Sequence, residues 1–336
     1  MKTRAWQWFL MAFGLFNFIP LVVLALTYYP PVLNWLLSFS DGMQSVLFLR
    51  LACLGSVLLW VGLFLFRYRI DALIQHFLAD MDRINREHPV GEMHFKTTVL
   101  NRWLMIFVLL FGCVVFIISL FDVYTYKKLI NEDHFVEYAS AVSWFFAALA
   151  LTVSLNMEKR MKHFKRWMYL ALIAFFIVCG GEEISWGQRL LGITPAEAVQ
   201  KINKQHEINL HNIGSISIYA NLFFLVTLVF FVGIPWVLNR FPQLNNYLRY
   251  YNAPVFNPFV TKIYGIGLIF WILIGIRFGT LGFWPLSLWG YYTQMDDEIF
   301  EFMSAYSFFS FAVLDLAYRL QERRALQARA TTSPVT

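Results

Sequence analysis

The chain has 336 residues, of which 59% are hydrophobic, 19% aromatic and only 14% charged, and its formal net charge is +6. The apolar residues fall into long blocks, which excludes an ordinary soluble domain and indicates a multi-pass membrane protein. Because basic loops on the cytoplasmic side of a membrane account for the positive charge, nucleic-acid binding is not expected.

Eight apolar segments are long enough to cross a bilayer as helices, which requires about 17–25 predominantly apolar residues. We therefore predict an all-α, polytopic integral membrane helix bundle. We expect residues 1–325 to form a single transmembrane domain and residues 326–336 a disordered C-terminal tail. The predicted spans are 9–29, 46–66, 103–121, 136–155, 167–186, 216–238, 260–276 and 299–318.

The connection between the second and third spans has a helical pattern of its own. Ile70, Ile74, Phe77 and Met81 recur at intervals of three or four residues, while charged side chains occupy the other faces. This spacing predicts an amphipathic helix over residues 68–88. It would lie on the cytoplasmic membrane surface, as a connector or against a partner.

The distribution of charge predicts the orientation in the membrane. Cytoplasmic loops retain lysine and arginine, whereas translocated loops are depleted of them. With the N-terminus inside, 20 of the 27 basic residues lie on the inner side and 13 of the 21 acidic residues on the outer side. We therefore expect both termini to lie in the cytoplasm.

Chemically capable residues concentrate on the predicted outer side, in the stretches 131–137, 180–189 and 205–212. Carboxylates and histidines cost free energy at membrane depth, so their clustering predicts a functional site facing the periplasm.

Glu182 and Glu183 follow two glycines near the outer end of the fifth span. Adjacent carboxylates at that depth repel each other unless a cation, a proton or Arg189 compensates. One of the two is therefore a candidate general base, and Arg189 a candidate partner for an anionic headgroup. Alternatively, the pair is neutralised by Arg189 and holds helices together.

Glu207 and His211 are four residues apart, so on a helix they would share one face and could bind one metal ion or relay one proton. The alternating residues Asn203, Gln205 and Asn209 would join them on one side of an extended segment. A hydrated loop whose amides satisfy its own backbone is the alternative.

Acidic residues also open the fourth and eighth spans, where helix capping explains most of them. Glu137 and Glu301 lie a turn deeper than capping requires, and Asp297 precedes Glu301 by four residues. Oxygen ligands with an imidazole suit Fe, Mn, Zn, Mg or Ca, with no order among them. Arg277 is a further candidate partner for an anion or a carboxylate. The predicted metal ligands are Glu137, Glu183, Glu207, His211, Asp297 and Glu301.

At these residues the chain resembles a group of functionally uncharacterised bacterial multi-pass membrane proteins. They carry a Glu-Glu-x-Ser-Trp-Gly-Gln-Arg block and an Asn-x-Gln-x-Glu-x-Asn-Leu-His-Asn block, which stand here at 182–189 and 203–212. A looser similarity is to intramembrane prenyl-protein endopeptidases, which join a Glu-Glu pair and a later Arg to histidines around an activated water. That family has three residues between the pair and the Arg, whereas five separate Glu183 from Arg189, and peptidase activity is not expected.

These patterns lead to one functional hypothesis and two alternatives. The first is a metal-dependent membrane enzyme acting on a lipid or lipid-linked substrate, with Glu182, Glu183, Glu207 and Arg189 as its catalytic residues. The second is a cation- or proton-coupled transporter, although the middles of the spans contain few ionisable groups. The third is an accessory subunit that holds an unknown partner protein.

Overall fold

A computed structural model of the chain is helical over most of its described part, in which no β-strand occurs. The described residues are 18–39, 43–87, 98–130, 134–157, 163–196, 208–209, 216–251, 253–254, 256–278 and 297–332.

The chain divides into two compact units, Met1–Glu87 and His88–Thr336. The first contains α1 (Pro30–Phe39), α2 (Met43–Leu65) and α3 (Arg67–Glu87). The second contains α4 (Thr98–Phe121), α5 (Val123–Ile130), α6 (Phe135–Met157), α7 (His163–Glu183), α8 (Gln188–Leu191), α9 (Ile216–Leu228), α10 (Ile234–Arg240), α11 (Pro242–Tyr250), α12 (Pro258–Phe278) and α13 (Asp297–Thr332).

Within the described residues, five helical stretches are long and apolar enough to cross a membrane, and they agree with the third, fourth, sixth, seventh and eighth predicted spans. The chain is therefore a multi-pass membrane protein. The five stretches are Val99–Phe121, Val123–Met157, Leu222–Arg240, Pro258–Phe278 and Asp297–Arg324.

The first unit contains an anchored arginine and an amphipathic helix. The Arg50 guanidinium donates to the carbonyl and the hydroxyl of Thr27, at 2.7 and 3.1 Å, and lies over the Tyr28 ring. Helix α3 occupies nearly the range predicted for the amphipathic helix. On its apolar face, Leu73 and Phe77 are exposed.

Helix α13 is the central helix of the second unit. Its Phe308 ring is surrounded by aromatic rings of α6, α7 and the segment after α9, including Trp144, Phe176 and Phe231. Close approach of α12 depends on Gly267, where an added Cβ would lie 2.9 Å from Cβ of Met303. Lipid tails are as apolar as these side chains, so the hydrophobic effect does not drive the helices together. Close packing of bulky rings and a small residue holds them instead.

A π-helical turn, Val229–Gly233, joins α9 to α10 and has a local cause. Pro235 has no backbone N–H, so it cannot donate to the carbonyl of Phe231, four residues earlier. The Thr261 hydroxyl of α12 donates to that carbonyl instead, at 2.7 Å. A backbone group freed in an apolar environment is therefore satisfied by a neighbouring helix.

Asp122, which lies between α4 and α5, caps the first turn of α5. The backbone N–H and the hydroxyl of Thr125 both donate to the Asp122 carboxylate, at 3.0 and 2.6 Å. These hydrogen bonds favour the charged form and hold the pKa of Asp122 below its ordinary value.

Helix α13 extends into the segment expected to form the C-terminal tail. Helix α13 continues to Thr332, so much of the segment predicted to be disordered is helical. Residues 321–330 are Gln, Glu, Arg, Ala and Leu, which have high intrinsic helix propensity, and they extend a helix already nucleated in the bundle.

Candidate functional site

Four carboxyl groups on three helices of the second unit interact electrostatically with one another. Glu183 at the end of α7 interacts electrostatically with Glu301 of α13 and Glu137 of α6. Glu298 interacts with all three. We call Glu137, Glu183, Glu298 and Glu301 the carboxyl cluster. Like charges repel strongly in an apolar environment, so the cluster favours a proton or a positively charged ligand.

Trp144 fixes the position of Glu183. Its indole Nε1 donates to Oε1 of Glu183 at 3.3 Å, and its side chain is buried. The rings of Phe175 and Phe308 pack around it, with centroid distances of 5.9 and 5.1 Å. An aromatic side chain so enclosed has little rotational freedom, so one carboxylate oxygen is held by a rigid donor.

Glu182 turns to a different donor. Nε1 of Trp186 donates to Oε1 of Glu182 at 2.7 Å. The same indole covers Gly181, where an added Cβ would lie 2.9 Å from Cε3 of Trp186. The adjacent carboxylates Glu182 and Glu183 are therefore held by two different indoles.

Three consecutive residues after α7 have positive φ and form what we call the left-handed turn, Ser185–Gly187. The φ values are +45° at Ser185, +54° at Trp186 and +76° at Gly187. Only the glycine adopts this region without steric cost. Each of the other two costs on the order of 1–3 kcal/mol, and such strain concentrates at functional sites.

The two sequence blocks meet at this turn. Oε1 of Gln188 accepts a hydrogen bond from the backbone N–H of Ile208 at 2.6 Å, and Nδ2 of Asn209 donates to Oγ of Ser185 at 3.1 Å. The side chains of Ser185, Gln188 and Asn209 are all buried. Buried polar groups must be hydrogen-bonded, so these contacts fasten residues 208–209 to the end of α7.

The structure describes only some of the remaining predicted site residues. Glu207 and His211 lie outside the described residues, as does the side chain of Arg189. Asp297 interacts electrostatically with Glu298. The expected role of Arg277 as an anion or carboxylate partner stays a prediction; Arg277 is exposed and its guanidinium lies over the Phe278 ring, 5.4 Å from the centroid. A residue in the last turn of a helix reaches solvent more easily than a neighbouring helix.

Several contributors were missed by the sequence predictions. Glu298 was assigned to capping, although its three-residue distance from Glu301 places both on neighbouring positions of one helix face. Trp144 carries no local signal, since a tryptophan in an apolar span is ordinarily a packing residue. Ser185 and Gln188 belong to the first sequence block, but their partners lie about twenty residues later and could not be paired from spacing.

A metal site is not formed by the described residues. Within those ranges, no three His, Cys, Asp or Glu side chains are arranged to hold a metal ion. A metal would therefore require ligands such as Glu207 and His211 in addition to the carboxyl cluster.

A second buried polar group lies further along α13. Tyr169 of α7 donates to Oδ2 of Asp315 at 2.7 Å, and Arg319 donates to the hydroxyl of Tyr169 at 3.3 Å and to the carbonyl of Ala253 at 3.0 Å. Nε of Arg319 lies 3.7 Å from Oδ1 of Asp315. Tyr169, near the start of α7, contacts Asp315, whereas Glu183, at the end of α7, interacts with Glu301, which precedes Asp315 on α13. Helices α7 and α13 therefore run antiparallel.

No known family model, curated protein or solved structure matches the chain. The resemblances suggested by the two sequence blocks therefore stay predictions, and the site's chemistry rests on its own residues.

Proposed function

We propose that the chain is a membrane-embedded enzyme that acts on a lipid or lipid-linked substrate, with Glu183 as its general base. The observation that supports this most strongly is the convergence of four carboxyl groups from α6, α7 and α13. Carboxyl groups at an apolar helix end serve poorly as structural contacts, because they repel each other and cost desolvation free energy.

The roles within the site follow from the hydrogen bonds. Trp144 orients Glu183, leaving its second carboxylate oxygen to accept a proton from the substrate or from water. Glu301 lies within electrostatic range of Glu183 and would share or relay that proton. Arg189 would bind an anionic headgroup, and Glu207 would contribute from the segment fastened at residues 208–209.

We propose eight spans, cytoplasmic termini and a periplasmic site in the bacterial inner membrane. Cysteine accessibility tests this topology in a background that lacks the native cysteines. A cysteine at the exposed Ile193 should react with a membrane-impermeant maleimide in spheroplasts, whereas one at Glu87 should react only after lysis. The reverse pattern would place the site in the cytoplasm.

Metal dependence is kept as a separate proposal, since it requires Glu207 and His211. Elemental analysis of the purified protein should find a stoichiometric divalent metal that is lost in the Glu207→Gln and His211→Ala variants. Absence of metal from active protein would remove this proposal and leave the general base in place.

The enzyme hypothesis is tested by lipid turnover. Purified protein is incubated with liposomes of bacterial lipid extract, and the lipids are compared by mass spectrometry before and after incubation. Wild-type protein and the surface control Glu87→Gln should convert the same lipid, whereas Glu183→Gln should lower the rate by roughly 100-fold or more. Equal turnover by Glu183→Gln would refute the assignment of the base.

The transporter alternative gains support from one observation. Asp315 and Arg319 lie on the same helix as Glu301, and Asp315 is fourteen residues beyond it, or about 21 Å along the helix axis. Ionisable groups are thus present at two depths. Proton uptake into proteoliposomes that is driven by an ion gradient and lost in Glu301→Gln would favour transport, and lipid turnover without such uptake would exclude it.

A further inference from the structure

The left-handed turn presents one aromatic side chain in an unusual way. Trp186 combines a strained backbone, with φ +54° and ψ +28°, with a side chain that is 47% exposed. A large aromatic residue usually occupies such a position only if surrounding contacts force it to. Burial does not provide that force here, because nearly half of the side chain remains uncovered.

Contacts with Gly181 and Glu182 hold the indole of Trp186 in place. One side of the ring covers Gly181, and Nε1 is held by the carboxylate of Glu182 at 2.7 Å. The turn is fastened at both ends by buried hydrogen bonds, from Asn209 to Ser185 and from Ile208 to Gln188. The exposed part of the ring is therefore presented in a preorganised orientation.

The electrostatic surroundings of Trp186 favour a positively charged ligand. The π face of an indole is negative, and hydrogen bonding of its N–H to a carboxylate adds electron density to the ring. Glu182 is adjacent in sequence to Glu183, which belongs to the carboxyl cluster. A cation in front of the ring would be attracted both by the π face and by these carboxylates.

We propose that Trp186 is the platform for the positively charged ammonium group of the lipid substrate. This inference rests on the proposed lipid-directed function and adds to it the charge of the headgroup. The strained turn holds the ring in position, and the carboxyl cluster supplies the negative potential.

The first test separates presentation of a ligand from structural packing. Trp186→Gly removes the ring and relieves the positive-φ strain, because glycine adopts this conformation freely. We expect a melting temperature in detergent equal to that of the wild type within about 3 °C, since relief of strain offsets the lost contacts. A decrease of more than about 5 °C would show that Trp186 is a packing residue and would overturn the proposal.

The second test measures binding by titration calorimetry. The probes are dihexanoylphosphatidylcholine and its 3,3-dimethylbutyl analogue, in which carbon replaces the quaternary nitrogen and removes only the charge. Wild-type protein should bind the charged probe roughly 2- to 30-fold more tightly than the neutral one, the range for a cation over an aromatic face. Trp186→Gly should abolish that preference, and Trp186→Phe should retain part of it.

Trp236→Phe is the matched control, because Trp236 is an exposed tryptophan on α10. It should leave the preference unchanged. Equal binding of both probes to the wild type, or a preference that survives in Trp186→Gly, would overturn the proposal. A failed general-base assignment is distinguishable from a failed ammonium site, because the first is measured as lipid turnover by Glu183→Gln and the second as the probe preference of Trp186→Gly.

Discussion

Removing the charge of Asp315 should destabilise the protein strongly, because it leaves Arg319 charged inside the bundle. Asp315 is fully buried and Arg319 is 5% exposed. Breaking a buried ion pair by removing one partner costs about 3–5 kcal/mol. Arg319 keeps its contacts with the Tyr169 hydroxyl, the Ala253 carbonyl and, at 3.4 Å, the Glu322 carboxylate. We therefore expect Asp315→Asn to cost about 3 kcal/mol, the lower end of that range.

The assay is equilibrium unfolding in mixed detergent micelles, followed by tryptophan fluorescence. Tyr169→Phe should cost about 1–3 kcal/mol, because it removes the 2.7 Å hydrogen bond to Asp315 without removing a charge. The double variant Asp315→Leu with Arg319→Met should recover most of the stability lost in Asp315→Asn, since it leaves no unpaired buried charge. Costs below about 0.5 kcal/mol for both Asp315→Asn and Tyr169→Phe would refute the reasoning.

Two other predictions concern close packing and the contact between the two sequence blocks. Gly267→Val should lower the free energy of unfolding by about 1–3 kcal/mol, because the new side chain overlaps with Met303. The control Gly265→Ala should be nearly neutral, because an added Cβ there meets nothing within 4 Å. The same unfolding assay checks both. Gln188→Met removes the acceptor for the Ile208 N–H and should accelerate amide hydrogen exchange at Ile208 by roughly tenfold, whereas Gln188→Glu keeps an acceptor and should not. Gln75→Met, on the exposed surface of α3, is the control, and unchanged exchange in Gln188→Met would contradict the assigned hydrogen bond.

The part of the site that sequence could predict is the part with a local signal. Glu137 and Glu301 were identified because they lie deeper in their helices than capping requires, and the structure brings both into range of Glu183. The expected pairing of Arg277 stays a prediction, because charge complementarity alone does not determine which way a side chain at a helix end points. Trp144 could not have been selected, since only its distance from Glu183 distinguishes it from other tryptophans in apolar spans.

The amino-acid sequence by itself determined that this is a helical, multi-pass membrane protein, because a bilayer requires long apolar segments whose backbone groups are satisfied within each helix. It also determined that acidic residues stand at the ends of α6, α7 and α13. Only the tertiary structure decided that those ends meet, and that the left-handed turn receives Ile208 and Asn209. Hydropathy is a local property that can be computed from the residues of each segment. The meeting of the helix ends depends instead on how antiparallel helices pack, through contacts between residues far apart in sequence.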